Sequence, residues 1–201
     1  MRIGFIIAIV AFLCGNSLSQ NWSIGSNIDS LGNILQYDHY ITENEIEEKF
    51  DVHNFTIEIF SLENMSLLPM QLVSMEQINL KKVPFYEDQL SNESELYFIG
   101  KIAIKDAKLR HYLFANVLNG IYTKYFLFNY YSGEIKSVLE ICSKTTNIDF
   151  PEFSYRLSSY IIHSERKIIL NYDYVDYYDD INFDETKTVS ISDNGLIRKI
   201  E

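Results

Sequence analysis

The stretch NYDYVDYYDDINFDE, residues 171–185, gathers the side chains of this chain that look most suited to ligand chemistry. It holds four tyrosines and six acidic residues in fifteen positions. If its first half is a strand, Tyr172 and Tyr174 point to the same side, because side chains alternate along a strand. Two such rings could stack on a sugar or a peptide with their polar hydroxyls at the tip. The competing interpretation, which we favour, is that both rings pack against a neighbouring strand.

The second half of this stretch resembles the start of a calcium-binding loop. Asp180, Asn182 and Asp184 match the first three ligand positions of the pattern D-x-[DN]-x-[DN]. The loop then requires glycine at its sixth position and glutamate at its twelfth, where this chain has Glu185 and Ile191. We therefore expect a solvated acidic connection that binds calcium no more tightly than roughly millimolar.

Motifs for catalysis or cofactor binding are missing from the sequence. It contains no G-x-S-x-G elbow, no P-loop, no H-E-x-x-H zinc motif and no C-x-x-C pair. The four histidines, at positions 39, 53, 111 and 163, lack metal-ligand spacing. The 28 acidic residues allow many carboxylate pairs, so no pair can be selected for glycoside hydrolysis. The sequence thus predicts no cofactor and selects no catalytic residue.

The N-terminus has the order of a secretory signal peptide. Arg2 precedes an apolar run over residues 3–14, and Ser17 and Ser19 place small residues at the −3 and −1 positions of a cleavage site. The run is too short for a transmembrane helix, which needs about 20 residues, and we predict no transmembrane segment. We expect cleavage to remove residues 1–19. Residues 20–201 would then form a single exported domain, extracellular, periplasmic or at the cell surface.

Charge and cysteine content limit the partners and bonds of this domain. The formal net charge of −11 argues against nucleic-acid binding, which needs clustered lysine and arginine. Removal of the signal leaves Cys142 as the only cysteine, so we predict no intramolecular disulfide and a small buried side chain at that position. In a eukaryotic source, four sequons would accept glycans, at Asn21, Asn54, Asn64 and Asn92.

Alternating hydrophobic residues and turn signals predict two antiparallel meanders of four strands each, over residues 95–143 and 154–201. In the first strand of the first meander, alternation places Leu96, Phe98 and Ile102 on one face and Lys101 on the other. The third strand, IYTKYFLFNYY, is apolar on both faces, which is typical of a strand covered on both sides. Asn119-Gly120 marks the hairpin before it.

The first half of the chain gives weaker signals. Residues 20–54 are irregular and polar, with one capping box, Thr42 to Glu45, that predicts a helix over residues 43–50. Residues 55–61 alternate like a strand, and QLVSMEQINL, residues 71–80, is read as a further strand. The resulting fold class is mainly β, a sandwich or barrel of about 8–10 strands with a short N-terminal helix. An α+β fold with one more helix is the alternative.

Three functions are compatible with an exported β protein of this kind. The first is non-enzymatic binding of an unknown protein or carbohydrate partner, which the high aromatic content favours. The second is hydrolysis of carbohydrate or peptide by paired carboxylates. The third is a lipocalin-like carrier of an apolar ligand, although Gln20-Asn21-Trp22 does not match the usual Gly-x-Trp start.

Overall fold

The computed structural model of the protein describes residues 28–35, 40–74, 77–79, 82–84, 94–103, 108–118, 122–146, 153–176 and 181–200. Eleven described strands join in one mixed sheet, which confirms the mainly β fold class. In chain order the elements are α1 (Glu43–Lys49), β1 (Asn54–Phe55), β2 (Ile59–Phe60), α2 (Leu62–Met65), β3 (Gln71–Leu72), β4 (Glu95–Ile102), β5 (Leu109–Leu118), β6 (Tyr122–Tyr131), β7 (Glu134–Thr146), β8 (Phe153–Ile162), β9 (Lys167–Asp176), β10 (Ile181–Ile191) and β11 (Ile197–Lys199).

The first meander, β4 to β7, is covered on both faces, as the apolar pattern of β6 predicts. Phe126 and Phe128 lie in one hydrophobic core, which also contains the buried residues of α1 and of the N-terminal segment. Tyr125 and Leu127 lie in a second core, which they share with the strands of the second meander. Each face of β6 therefore packs against a different layer of the protein, and this explains the absence of a polar face.

The second meander, β8 to β11, joins the first at a corner between β7 and β8. These two strands pair only where Ser143–Thr146 of β7 meets Ser154–Leu157 of β8. Beyond these residues the backbone pairing ends and β2 pairs with β8 through Ile59–Phe60, while the Ser159 hydroxyl still donates to the Ile141 carbonyl oxygen of β7 at 2.7 Å. Phe60 and Met65 fill the wedge between the two meanders and are fully buried. This arrangement is consistent with the predicted sandwich or barrel-like architecture.

Helix α1 forms where the capping box predicts it. The Thr42 hydroxyl accepts a hydrogen bond from the backbone of Glu45, and the Glu45 side chain accepts one from the backbone of Thr42. Ile46 and Phe50 face the first core and are buried. Neither α1 nor α2, the helices of the described part of the chain, is long and apolar enough to cross a membrane.

Two strand predictions in the first half of the chain are wrong in extent. Residues 55–61 do not form one strand, because the chain leaves β1, which pairs parallel to β4, and crosses to β2, which pairs with β8. Between residues 71 and 80, only Gln71–Leu72 is a described strand. β1 and β3 each pair with only two residues of β4, and β2 with only two residues of β8, so alternation alone overstates the length of these strands.

The prediction of which β4 side chains share a face of the sheet is also wrong, because a β-bulge interrupts the strand. The pairing with β5 shifts between Phe98 and Gly100, so that Phe98 opposes Phe114 and Lys101 opposes Tyr112. The extra residue places Lys101 on the same face as Phe98 and moves Ile102 into the second core. Glycine is required at position 100, since its φ is +153° and a Cβ there would lie 2.6 Å from the carbonyl oxygen of His53.

Candidate functional site

A surface groove beside the β2–β8 pairing is the candidate functional site. Its volume is about 640 Å³, within the usual range of ligand pockets of roughly 300–1,000 Å³. One wall comes from the chain at β2, and the floor comes from β8 and the turn that follows it. The lining residues are Glu58, Ile59, Ser61, Ser158, Ser159, Tyr160, Ile161, Ile162, His163, Ser164 and Asn171.

The groove contains two exposed apolar side chains that lie side by side. Ile59 and Tyr160 are cross-strand partners in the β2–β8 pair. Their exposed fractions are 59% and 38%, whereas their strand neighbours Phe60 and Ser159 are buried. Alternation explains this arrangement, because the neighbours of each exposed residue must point into the core. The result is an aromatic and aliphatic surface that solvent reaches and a ligand could cover.

Polar groups surround this apolar pair. The Asn171 side-chain oxygen accepts a hydrogen bond of 3.1 Å from the Thr186 hydroxyl, which fixes the amide and leaves its nitrogen to donate elsewhere. Ser158 also lines the groove and is the cross-strand partner of Asn171 on β9. His163 holds the turn in place through its Nε2, which lies 3.3 Å from the Ile57 carbonyl oxygen.

The charge of the groove is acidic. Glu58 is an exposed lining residue, and the described lining residues include no lysine and no arginine. Such a surface attracts neutral or cationic ligands and repels anionic ones. Its groups can accept and donate hydrogen bonds, and the Nε2 of His163 faces the Ile57 carbonyl oxygen.

The predicted tyrosine platform is only partly accessible. Tyr172 is 4% exposed and lies in the second core, with its ring centroid 6.1 Å from that of Tyr155. Burial, followed by the nearby charges of Glu140 and Glu185, raises its pKa above the usual tyrosine value. Tyr174 is half-buried. Stacking by both rings stays a prediction, and Tyr172 offers a ligand almost no ring surface.

The remaining predicted site residues belong to the calcium-like pattern and to the four sequons. Asp180 lies outside the described residues, as does the side chain of Asn182, while Asp184 is exposed on β10. The sequons at Asn21 and Asn92 also lie outside them, whereas Asn54 and Asn64 are exposed. The Asn64 side-chain nitrogen donates to the Ile59 carbonyl oxygen at 3.1 Å, which places this sequon beside the groove.

Two carboxylates approach each other where α1 packs on the sheet. The Tyr112 hydroxyl lies 2.9 Å from Glu43 Oε1 and 2.7 Å from Glu47 Oε1, and Lys101 Nζ lies 2.9 Å from the same Glu47 oxygen. Hydrogen bonds from Tyr112 and Lys101 lower the pKa of Glu47. A glycosidase needs one carboxyl group with a raised pKa as its general acid. The lowered value instead fits a network that holds the helix.

A buried polar row crosses three strands of the first meander. His111 Nδ1 lies 2.6 Å from Asn129 Oδ1, Asn129 Nδ2 donates to Ser137 Oγ at 2.7 Å, and Ser137 Oγ donates to the Gly195 carbonyl oxygen at 2.7 Å. Asn129 and Ser137 are fully buried, and His111 nearly so. Ser137 donates its hydroxyl proton to the carbonyl oxygen of Gly195, so the row links the β10–β11 turn to the first meander. Because that proton is not donated to the histidine, the row does not have the hydrogen bonding of a serine nucleophile and its base.

Cys142 and the potential metal ligands show no sign of a reactive centre. Burial raises the pKa of the Cys142 thiol to about 12, so the reactive thiolate is rare near neutral pH. Across the described parts of the chain, no three His, Cys, Asp or Glu side chains lie close enough together to hold a metal ion.

Comparison of this chain with protein-family models, with curated proteins and with solved structures gave no match. The groove could not have been found from sequence motifs, because its lining comes from three separated segments. One signal was present in the sequence: Tyr160 stands in SYRLSSYIIHS, where strict alternation with the buried residues 157, 159 and 161 predicts an outward-facing aromatic ring.

Proposed function

We propose that this chain is an exported, non-enzymatic binding protein whose ligand lies in the groove beside β2 and β8. The observation that carries the proposal is the exposed Ile59–Tyr160 pair, set in a groove of about 640 Å³ with hydrogen-bonding side chains around it. Exposed apolar surface with a polar surround is typical of binding sites. Export is inferred from the N-terminal order of Arg2, the apolar run and Ser17 to Ser19.

A binding screen with groove variants tests this function. Labelled protein, residues 20–201, is applied to immobilised oligosaccharides and to immobilised peptides. We expect binding to at least one probe to be weakened in Ile59→Ala and Tyr160→Ala. Leu72→Ala is the matched control, because Leu72 is also an exposed apolar residue on a two-residue strand but does not line the groove. Binding that all three variants keep, or no binding to any probe, would contradict the proposal.

A hydrolase acting through carboxylates is the alternative with less support. The described carboxylates that share a hydroxyl, Glu43 and Glu47, belong to the packing of α1 on the sheet. A carrier function also has less support. It would need space for an apolar ligand inside the fold, and bulky buried side chains, including Phe60, Met65 and Leu127, occupy the core between the meanders. The groove lies outside that core.

A further inference from the structure

We propose that the groove recognises a short neutral oligosaccharide, an inference that rests on the binding function proposed above. The first step concerns the floor strand. β8 is hydrogen-bonded along one edge to β9 over its full length, and along the other edge first to β7 and then to β2. A peptide that binds as an added strand needs a free edge. β8, the floor strand of this groove, is therefore paired along both edges and is a poor template for an added peptide strand.

The second step concerns the kind of side chain on this face. Ser158 and Ser164 carry hydroxyls that can donate and accept, the Asn171 nitrogen donates, and the Glu58 carboxylate accepts. Sugar hydroxyls also donate and accept, so a ligand rich in hydroxyls can use all of these groups at once. Tyr160 adds a ring face against which the C–H surface of a sugar can pack.

The third step concerns charge. Glu58 is negative, and the described lining residues offer no lysine or arginine to bind a sulfate, phosphate or uronate group. The chain as a whole carries a formal charge of −11. Acidic glycans and phosphorylated ligands are therefore repelled both locally and at long range, and neutral sugars fit the groove best.

The experiment is isothermal titration of the folded domain with neutral di- to tetrasaccharides built from glucose, xylose, mannose or N-acetylglucosamine. Sulfated and uronate-containing sugars of the same length and a set of extended octapeptides serve as comparison probes. We expect at least one neutral sugar to bind. Tyr160→Ala should weaken it on the order of tenfold, Tyr160→Phe should bind more nearly like wild type, and Ser158→Ala and Asn171→Ala should each cost roughly two- to tenfold.

The outcomes separate this inference from the function on which it rests. Peptide or acidic-sugar binding that depends on Tyr160 would overturn the neutral-sugar assignment and leave the binding function standing. Neutral-sugar binding that Tyr160→Ala and Asn171→Ala leave unchanged would place the sugar elsewhere and overturn the inference. If no probe binds, both fall. Circular dichroism of each variant excludes misfolding, and Leu72→Ala again serves as the control.

Discussion

Replacing Ser137 with alanine tests how the two meanders are held together. The Ser137 hydroxyl accepts a 2.7 Å hydrogen bond from Asn129 and donates one of 2.7 Å to the carbonyl of Gly195, in a fully buried position. Alanine removes both bonds and leaves a buried amide hydrogen and a buried carbonyl oxygen without these partners. With about 1–3 kcal/mol for each of the two groups left unsatisfied, the loss should be about 2–6 kcal/mol.

The assay is urea unfolding together with thermal unfolding. A loss of that size should lower the Tm by roughly 4–24 °C in a domain of this length. Ser143→Ala is the matched control, because Ser143 is equally buried on the same strand. The Ser143 hydroxyl lies close enough to Tyr155 to affect its pKa but forms no hydrogen bond of acceptable geometry. Because removing a buried hydroxyl that lacks a partner costs no hydrogen bond, Ser143→Ala should leave the stability unchanged or raise it. Equal losses for the two variants would refute the role of the row.

Three further predictions concern pH, the thiol and the N-terminus. Hydrogen bonds from tyrosine and lysine lower the pKa of Glu47 below its usual 4.5, so its stabilisation is present above that pH and is lost as the pH falls through the lowered value. Glu47→Gln should therefore be less stable than wild type at about pH 7, and the difference in urea unfolding should shrink steadily as the pH falls below 4.5; a constant difference would contradict this. Iodoacetamide at about pH 8 should modify Cys142 only after unfolding, and a reducing agent should leave the Tm unchanged; rapid labelling of the folded protein would show that the thiol is accessible. Mass spectrometry of the exported protein should find Gln20 at the N-terminus, and a retained Met1 would refute cleavage.

The strands of the two meanders could be predicted from sequence because all but the three-residue β11 are long, and turn signals separate most of them. β6 also revealed its place between two layers, since both of its faces are apolar. Helix α1 followed from four residues, because a capping box is a local interaction that needs no tertiary information. In each case the deciding forces act within a hairpin or a single helical turn.

Long-range contacts decide the features that sequence reasoning missed. The bulge at Gly100 exists because the backbone of β1 approaches β4 there, and nothing local announces that approach. Asn33 is a second example. Its side-chain oxygen accepts from the backbone of Ile197 at 2.6 Å, and its nitrogen donates back to the same residue at 3.0 Å. The Asn33 side chain thus makes the two hydrogen bonds that a neighbouring strand would make with the backbone of β11, although Asn33 and Ile197 are 164 residues apart in sequence.

The groove belongs to this second class of feature. Tyr160 can be read as outward-facing from alternation, but Ile59 reaches it only because β2 crosses to β8 after leaving β1. The stretch 171–185, which attracted attention by its composition, contributes Asn171 to the groove and buries Tyr172 in the core. Composition identified the right strand, and the pairing with β8 determined which of its faces is exposed to a ligand.

The most direct test of the groove as the binding site is an NMR titration of the ¹⁵N-labelled domain with the tightest-binding neutral oligosaccharide. The backbone amides of residues 58–61 and 158–164, together with Asn171, should shift in a saturable manner, with one Kd for all of them. Amides near Leu72, on the β3 side of the sheet, should stay unchanged. Shifts that cluster instead around Tyr174 and the start of β10, with the groove unaffected, would contradict the assignment.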